Sequence, residues 1–168
     1  MKKLSFKKMI IEALKFFIMI IVIANIVSFI RKPHLKNSTL PDLNVTSIDG
    51  KKLSLHKQNK PIILYFWGTW CPVCKVQSPQ IEKLLKTYNV ISIAVNSGSS
   101  KEIQTYQKKH EFHFLTIADQ DGKISQKFQV NTFPTIFVYD KKGINIFTEV
   151  GYTSQTSIKL KIWVSHFL

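Results

Sequence analysis

The 168-residue sequence is poor in cysteine, with only two residues of this type. Two cysteines exclude a disulfide-stapled mini-protein and a four-cysteine zinc site. No internal repeat is visible, and the composition of 45% hydrophobic and 20% charged residues excludes a disordered chain or a low-complexity fibre. The length is sufficient for one domain with a proper core behind an apolar N-terminal segment.

Acidic residues are also scarce, since ten Asp and Glu stand against 24 Lys and Arg. Eight of the basic residues fall within residues 1–36, where Glu12 is the one acid. The remaining basic residues are scattered over 37–168 and form no run of five. Nucleic-acid-binding surfaces usually cluster basic residues and interleave them with aromatic ones. The sequence therefore predicts no nucleic-acid partner.

The N-terminal segment contains a charge-free apolar run over residues 16–30, and the longer stretch 10–30 includes Glu12 and Lys15. A membrane-spanning helix needs about 20 residues, and Lys15 lies close enough to the end to snorkel. More lysines precede the run than follow it. The positive-inside rule then predicts a single-pass anchor in the inner (cell) membrane, with the rest of the chain on the periplasmic or extracytoplasmic side.

A cleaved signal peptide is the alternative, with Val22-Ile23-Ala24 as a passable cleavage site. The apolar run continues past that site to Ile30, which favours an uncleaved anchor. Both alternatives export the domain. The predicted organisation is a basic cytoplasmic tail at 1–9, a transmembrane anchor at 10–30, a linker at 31–39 and a domain at 40–168.

The hydrophobic pattern of the exported part predicts an α/β sandwich. A hairpin is expected around Asp49-Gly50, then a buried strand at 61–67. A helix is expected from Pro72 to about Tyr88, with its apolar stripe at Val76, Ile81, Leu84, Leu85 and Tyr88. Further strands are predicted at 90–95, 114–118, 135–139 and 145–150, and further helices at 99–110, 122–128 and 154–166. The order predicts a central mixed sheet with helices on both faces.

Cys71 and Cys74 lie where the buried strand gives way to the helix that begins at Pro72. Cys71 then meets unpaired backbone N–H groups and the positive end of the helix dipole, and both favour a thiolate. Such a position can lower the pKa of a cysteine well below about 8.5. Cys74 lies one turn later on the same helix face, so it can attack a mixed disulfide formed on Cys71.

Four further residues are predicted to bind an extended substrate. Trp67 and Trp70 bracket the cysteines with flat apolar surface. Pro134 precedes a predicted strand, where a proline is unfavourable unless its peptide bond is cis at a turn. A cis Phe133–Pro134 bond beside the cysteines would leave backbone groups at Phe133, next to Thr132, free to pair with a substrate strand. An ordinary strand-edge proline is the alternative.

The segment FWGTWCPVC at residues 66–74, its spacing to Phe133-Pro134-Thr135 and the strand order resemble the thioredoxin superfamily over residues 40–168. The anchor, the hairpin and the βα insertion at 90–118 resemble its membrane-anchored TlpA/ResA/DsbE-like group. Cys-Pro-Val-Cys after Trp-Gly-Thr-Trp is similar to the copper-sensitivity suppressor (ScsD-like) disulfide oxidoreductases. The resemblance implies thiol–disulfide exchange on exported proteins, with Cys71 as nucleophile, Cys74 as resolving thiol and Pro134 as the cis-proline.

Two departures from the family pattern bear on the reaction. Tyr65 stands where thioredoxins keep a buried aspartate, so a carboxylate proton relay to Cys74 is absent there. Gln77 stands where cytochrome-maturation reductases often carry a glutamate, which weakens that specific role. The tether and the family resemblance favour a reductase. We expect it to receive its electrons from a donor protein in the membrane.

Two other interpretations of the cysteines stay open. A static structural disulfide would close so short a loop that it would stabilise the fold little. A copper-binding or copper-delivery module could use the same two thiols. The sequence predicts no cofactor and no resident metal, because His110 and His113 straddle a predicted helix end without a partner pair.

Overall fold

The chain folds as two units, Met1–Lys32 and Pro33–Leu168. The computed structural model describes residues 6–30, 33, 38–55, 60–165 and 167. Helix α1 (Phe6–Ile30) forms the first unit. Among these described residues, no helix combines the length and the apolar character that crossing a bilayer requires. The helix predicted at 10–30 is present, and its role as a membrane anchor stays a prediction.

Several of the predicted boundaries fall on residues that are not described. Most of the basic tail, at 1–5, and most of the linker, at 31, 32 and 34–37, lie outside the described residues. The domain boundaries at residues 9, 30 and 39 therefore stay predictions.

The second unit begins with a hairpin and continues with alternating strands and helices. Its strands are β1 (Asn44–Thr46), β2 (Lys52–Ser54), β3 (Ile62–Trp67), β4 (Asn89–Val95), β5 (Leu115–Asp119), β6 (Thr135–Tyr139) and β7 (Asn145–Val150). Its helices are α2 (Pro72–Glu82), α3 (Ser100–Lys109), α4 (Lys123–Lys127) and α5 (Gln155–Val164). Apart from the end of α2, the predicted elements agree with these bounds to within two residues.

The sheet of five strands has the order β5-β4-β3-β6-β7. Strand β3 pairs parallel with β4 and antiparallel with β6. The pair β4–β5 is parallel, whereas β6–β7 is antiparallel. The predicted mixed sheet is confirmed. All six residues of β3 are buried, as expected of a central strand covered on both faces.

The two faces of the sheet bury different sets of side chains. Alternate residues of β3 point to opposite sides, with Tyr65 and Trp67 on the first face and Leu64 and Phe66 on the second. Helices α2, α3 and α5 contribute buried residues to the first face. The second face is covered by side chains from around α4 and from the N-terminal hairpin. Full burial of each such large apolar side chain contributes about 1.5–3 kcal/mol.

Helix α2 ends six residues earlier than predicted. The pattern favoured a helix to Tyr88, but α2 stops at Glu82 and turns follow. The N–H of Leu84 donates to the carbonyl of Ile81 at 2.9 Å, so hydrogen bonding there has changed to the tighter three-residue spacing.

The predicted apolar stripe on α2 was wrong at Val76, which is exposed. The buried residues of the helix are Cys74, Gln77, Ser78 and Ile81, at spacings of three and four. Val76 falls outside this phase. The buried face of α2 is therefore partly polar, and Val76 lies on the surface one turn beyond Pro72.

Candidate active site

Cys71 caps the N-terminus of α2. Its backbone is extended, and Pro72 occupies the start of the helix. The N–H of Cys74 donates to Cys71 Sγ at 3.2 Å, and the two sulfurs are joined in a disulfide with the Cα atoms 5.2 Å apart. An N-cap acceptor gains stability when it carries negative charge. In the reduced protein this position therefore favours the thiolate of Cys71.

The two cysteines differ in how a partner can reach them. Cys71 has 4% of its surface exposed to solvent and follows the exposed Trp70. Cys74 has 1% exposed and lies on the buried face of α2. Of the two, Cys71 is therefore the cysteine that borders the exposed Trp70, whereas Cys74 faces the core from α2.

Trp70 is exposed and yet fixed in place. Half of its surface is accessible, at 52%. Its Nε1–H donates to the carbonyl of Val95 at 3.0 Å, and its ring lies so close over Gly68 that a Cβ there would stand 2.6 Å from it. The ring of Phe133 meets it edge-on, with centroids 5.5 Å apart. Trp70 thus offers a preorganised apolar surface beside Cys71.

The Phe133–Pro134 peptide bond is cis, as the sequence predicted. The carbonyl of Pro134 accepts a hydrogen bond from the N–H of Gly151 at 2.8 Å, and that of Thr132 accepts one from Thr135 Oγ1 at 2.7 Å. Neither backbone polar group of Phe133 forms a hydrogen bond with another described residue. Those two groups are therefore available to an external strand.

Trp67 does not belong to this surface, and its prediction as a substrate-contacting residue was wrong. Its side chain is fully buried in the first face. Its Nε1–H donates to Ser92 Oγ at 3.1 Å, and its ring packs edge-on against Phe114 with centroids 5.8 Å apart. Strand alternation explains the difference, since Trp67 ends β3 pointing inward whereas Trp70 lies beyond the strand.

Two residues, Val76 and Tyr152, are exposed although the sequence pattern placed Val76 in the core and gave no signal for Tyr152. Tyr152 is exposed in the β7–α5 loop, and the next residue, Thr153, donates its N–H to Gln77 Oε1 at 2.8 Å. This bond holds the loop against α2, whose exposed side presents Val76. The helical phase of α2 could have revealed Val76. Nothing in the sequence indicates that Gln77 and Thr153, which are 76 positions apart, are in contact.

A buried pair of hydroxyl groups lies beneath Cys74. The hydroxyl of Tyr65 donates to the carbonyl of Cys74 at 3.3 Å and contacts Ser78 Oγ at 2.9 Å. Burial raises the pKa of Tyr65 well above its usual value, and the hydrogen bond with Ser78 opposes this only in part. Tyr65 is therefore neutral at physiological pH. It positions α2 and supplies no carboxylate.

Of the two histidines that the structure describes, His113 lies away from the cysteines. His113 Nδ1 is 2.9 Å from Glu82 Oε1, at the far end of α2 from Cys71. That separation is about 16 Å along the helix axis. His110 packs on the ring of Tyr106 with centroids 4.4 Å apart. Within the part of the chain that the structure describes, no group of three or more His, Cys, Asp or Glu side chains is placed to hold a metal ion.

Comparison with known proteins places this site in a family. The model of the AhpC/TSA family matches residues 37–145. A thioredoxin-like protein of Haemophilus influenzae is 35% identical over 169 residues, which cover 98% of this chain and 99% of that protein. The thiol-disulfide oxidoreductase ResA of Bacillus subtilis is 29% identical over 128 residues, 73% of this chain and 72% of that one.

The fold agrees with this assignment. The crystal structure of StoA from Bacillus subtilis superposes with a TM-score of 0.63 at 22% identity, over 76% of this chain and 98% of that one. The thioredoxin-like α/β fold expected from the sequence is confirmed.

Proposed function

Because this chain belongs to the AhpC/TSA family and is a thiol–disulfide oxidoreductase, we propose that it reduces disulfide bonds of exported proteins through Cys71 and Cys74. The observation that carries this proposal is the N-cap position of Cys71, whose sulfur accepts the N–H of Cys74 while Cys74 lies buried behind it. ResA, a relative over most of its length, is named as a thiol-disulfide oxidoreductase.

The reaction proceeds in two exchanges. The Cys71 thiolate attacks one sulfur of the substrate disulfide, and the electron pair of the broken S–S bond leaves with the other sulfur, which takes up a proton from water. Cys74 then loses its proton and attacks Cys71 Sγ, which releases the second substrate thiolate to be protonated in turn. The substrate gains two electrons and two protons, and the protein is left with the Cys71–Cys74 disulfide.

The substrate lies along a surface formed by three loops. Trp70 provides the apolar wall, the backbone of Phe133 pairs with an extended segment, and Thr132 borders it. Val76 and Tyr152, both exposed, extend this surface on the side of α2. Because the contacts are apolar or made by the backbone, the surface accepts unfolded segments of varied sequence.

We place the domain outside the cytoplasm on a membrane tether formed by residues 10–30 and a linker at 31–39. The charge-free run at 16–30, the excess of lysine before it and the exposed apolar side chains of α1 support this arrangement. A membrane protein carrying a reactive dithiol then returns the Cys71–Cys74 disulfide to the reduced form. Resistance of the full chain to carbonate extraction tests the tether.

Insulin reduction by the full-length protein tests the activity. Cys71→Ser keeps an N-cap oxygen and removes the nucleophile, so turnover should vanish. Cys74→Ser should instead accumulate a mixed disulfide with substrate, because the resolving thiol is missing. Equal turnover of the wild type and Cys71→Ser would contradict the proposal.

The direction of electron flow has its own test. A reductase should carry free thiols at Cys71 and Cys74 in cells trapped rapidly with acid. Fully oxidised cysteines would reverse the direction to that of an oxidase. A Cu(I) competition titration addresses the copper-binding alternative, and an affinity no better than that of a free dithiol would remove it.

A further inference from the structure

Helix α5 carries a second apolar stripe that faces solvent. Its buried residues are Ile158 and Ile162, one turn apart. Leu160, Trp163 and Val164 on the other side of the helix, and Phe167 just beyond its end, recur at spacings of three and four, and all are exposed. Trp163 has 59% of its surface exposed to solvent. Its ring contacts that of Phe167 edge-on, with centroids 4.9 Å apart. These four residues are called the distal patch.

The distal patch lies at the opposite end of the domain from the cysteines. Cys71 follows the C-terminal end of β3, whereas Pro61 precedes its N-terminal end. A small cavity is lined by Pro61, Lys141, Ile146 and Ser165, so the C-terminal end of α5 lies beside the start of β3. Six residues of strand, about 20 Å, separate the two ends.

The chain enters the domain at this same end. The carbonyl of Ser38 accepts the N–H of Asn145 at 2.6 Å, and the N–H of Leu40 donates to the carbonyl of Gly143 at 2.7 Å. Thr39 forms a bridge with Ile144, which is itself exposed. The last residues of the predicted linker, Ser38 and Thr39, are therefore fixed at the distal end of the domain.

The charge around the distal patch is positive. Lys141 and Lys142 in the β6–β7 turn and Lys159 on α5 are exposed. The carboxylate of Asp140 accepts the backbone N–H groups of the turn, at Lys142 and Ile144, both at 2.8 Å. Exposed tryptophan and phenylalanine flanked by lysines form the kind of surface that binds an anionic lipid headgroup region.

We propose that the distal patch docks on the anionic surface of the lipid bilayer and holds the domain with Cys71 directed away from it. This inference rests on the proposed function for the tether that brings the patch to the membrane. Trp163 and Phe167 enter the interface between headgroups and acyl chains, while Lys141, Lys142 and Lys159 contact lipid phosphates. The catalytic surface then faces soluble protein substrates.

Tryptophan quenching by brominated lipid tests the docking. The full chain is inserted as a single copy into nanodiscs of phosphatidylglycerol and phosphatidylcholine with dibrominated acyl chains. Trp163→Phe should abolish most of the quenching, because Trp163 lies in the interface. Trp70→Phe is the matched control, since Trp70 is 52% exposed at the other end and should contribute little.

Two further arms address charge and the hydrophobic contact. Discs of phosphatidylcholine alone should quench Trp163 less, and Leu160→Glu should reduce quenching in the anionic discs. Quenching that Trp163→Phe leaves unchanged would overturn the proposal. The proposal would also be overturned if Trp163 became protected from solvent only in discs that hold two copies. The distal patch would then be covered by a second copy of this chain.

Two parallel measurements separate this inference from the proposed function. Carbonate extraction reports the tether, and insulin reduction reports the chemistry of the cysteines. If both are retained while Trp163 is not quenched, lipid docking alone is overturned. If the chain is extracted or fails to reduce insulin, the proposed function itself fails.

Discussion

Both faces of the sheet are covered by packed side chains, but the two faces are built differently. On the first face, hydrogen bonds join side chains of separate elements, as between Trp67 and Ser92, Ser92 and Thr116, and Tyr65 and Ser78. On the second face, aromatic rings such as those of Phe66 and Phe137 pack directly, and the hydroxyl of Tyr139 has no hydrogen-bond partner within the described residues.

This difference follows the location of the chemistry. The first face carries α2 and hence both cysteines, and its directional hydrogen bonds fix where the helix begins relative to β3. The second face contributes non-directional apolar burial, which stabilises the fold but does not orient a helix terminus. Residues that stabilise the domain are therefore distinct from residues that position the site.

The largest effect on stability is expected from Phe66→Ala on the second face. Phe66 is fully buried against Phe128 and Phe137, with ring centroids 5.2 and 5.6 Å away. Its truncation should lower the free energy of unfolding by about 3–5 kcal/mol. Urea denaturation measures this loss. Activity per folded molecule should be unchanged, and a fall in that activity would break the division between the faces.

A matched pair of hydroxyl deletions gives the next largest effect. Tyr65→Phe leaves Ser78 Oγ without its Tyr65 partner and should cost about 1–3 kcal/mol. Tyr139→Phe removes a buried hydroxyl that has no partner within the described residues, so it should be neutral or stabilising. Equal losses in urea denaturation would contradict the comparison.

Tyr65→Phe should also change chemistry, because its hydroxyl holds the first turn of α2 through the carbonyl of Cys74. We expect an altered reduction potential of the cysteine pair in Tyr65→Phe and an unaltered one in Tyr139→Phe. A glutathione redox titration of both variants measures this, and a merely structural role would leave both potentials at the wild-type value.

Alkaline pH should act on both faces alike. Burial raises the pKa of Tyr65 and of Tyr139 above the ordinary tyrosine value of about 10. At a pH between the unfolded and the folded pKa of these tyrosines, the folded state binds more protons than the unfolded state. The free energy of unfolding is therefore unaffected by them below about pH 10 and falls as the pH rises above that value. Each tyrosine contributes a slope of up to about 1.4 kcal/mol per pH unit. Either Phe variant should flatten the decline, and an unchanged decline would contradict this.

Much of the fold could be predicted because its signals are local. The charge-free strand at 62–67, the capped helix at 100–109 and the Asp140–Gly143 turn each show their pattern within a few residues. The position of Cys71 at a helix N-terminus was likewise local, since Pro72 marks the helix start. The same type of signal identified Pro134.

The remaining features depend on contacts that a linear pattern does not contain. Tyr65 meets Ser78 thirteen residues later, and Gln77 meets Thr153 from 76 residues away. Trp67 was misplaced because two tryptophans three residues apart straddle the end of a strand, where side-chain direction changes. Val76 was misplaced because an apolar residue was counted towards the core without regard to helical phase.

The smallest effect on stability is expected from Val76→Ala. Val76 is exposed on α2 beside the cysteines, so the free energy of unfolding should change by no more than about 0.5 kcal/mol. The KM for a disulfide-containing protein substrate should rise while kcat is retained, because apolar contact area is lost in substrate binding. Unchanged KM would remove Val76 from the substrate surface.

The ionisation of Cys71 tests the central claim most directly. The reduced full-length protein is alkylated with iodoacetamide across a pH series, and modification of each cysteine is followed by mass spectrometry, with the urea-unfolded chain as control. The helix N-terminus predicts that Cys71 reacts at half its maximal rate at a pH well below about 8.5, while the unfolded control titrates near that value. A folded Cys71 that titrates with the unfolded control would contradict the account.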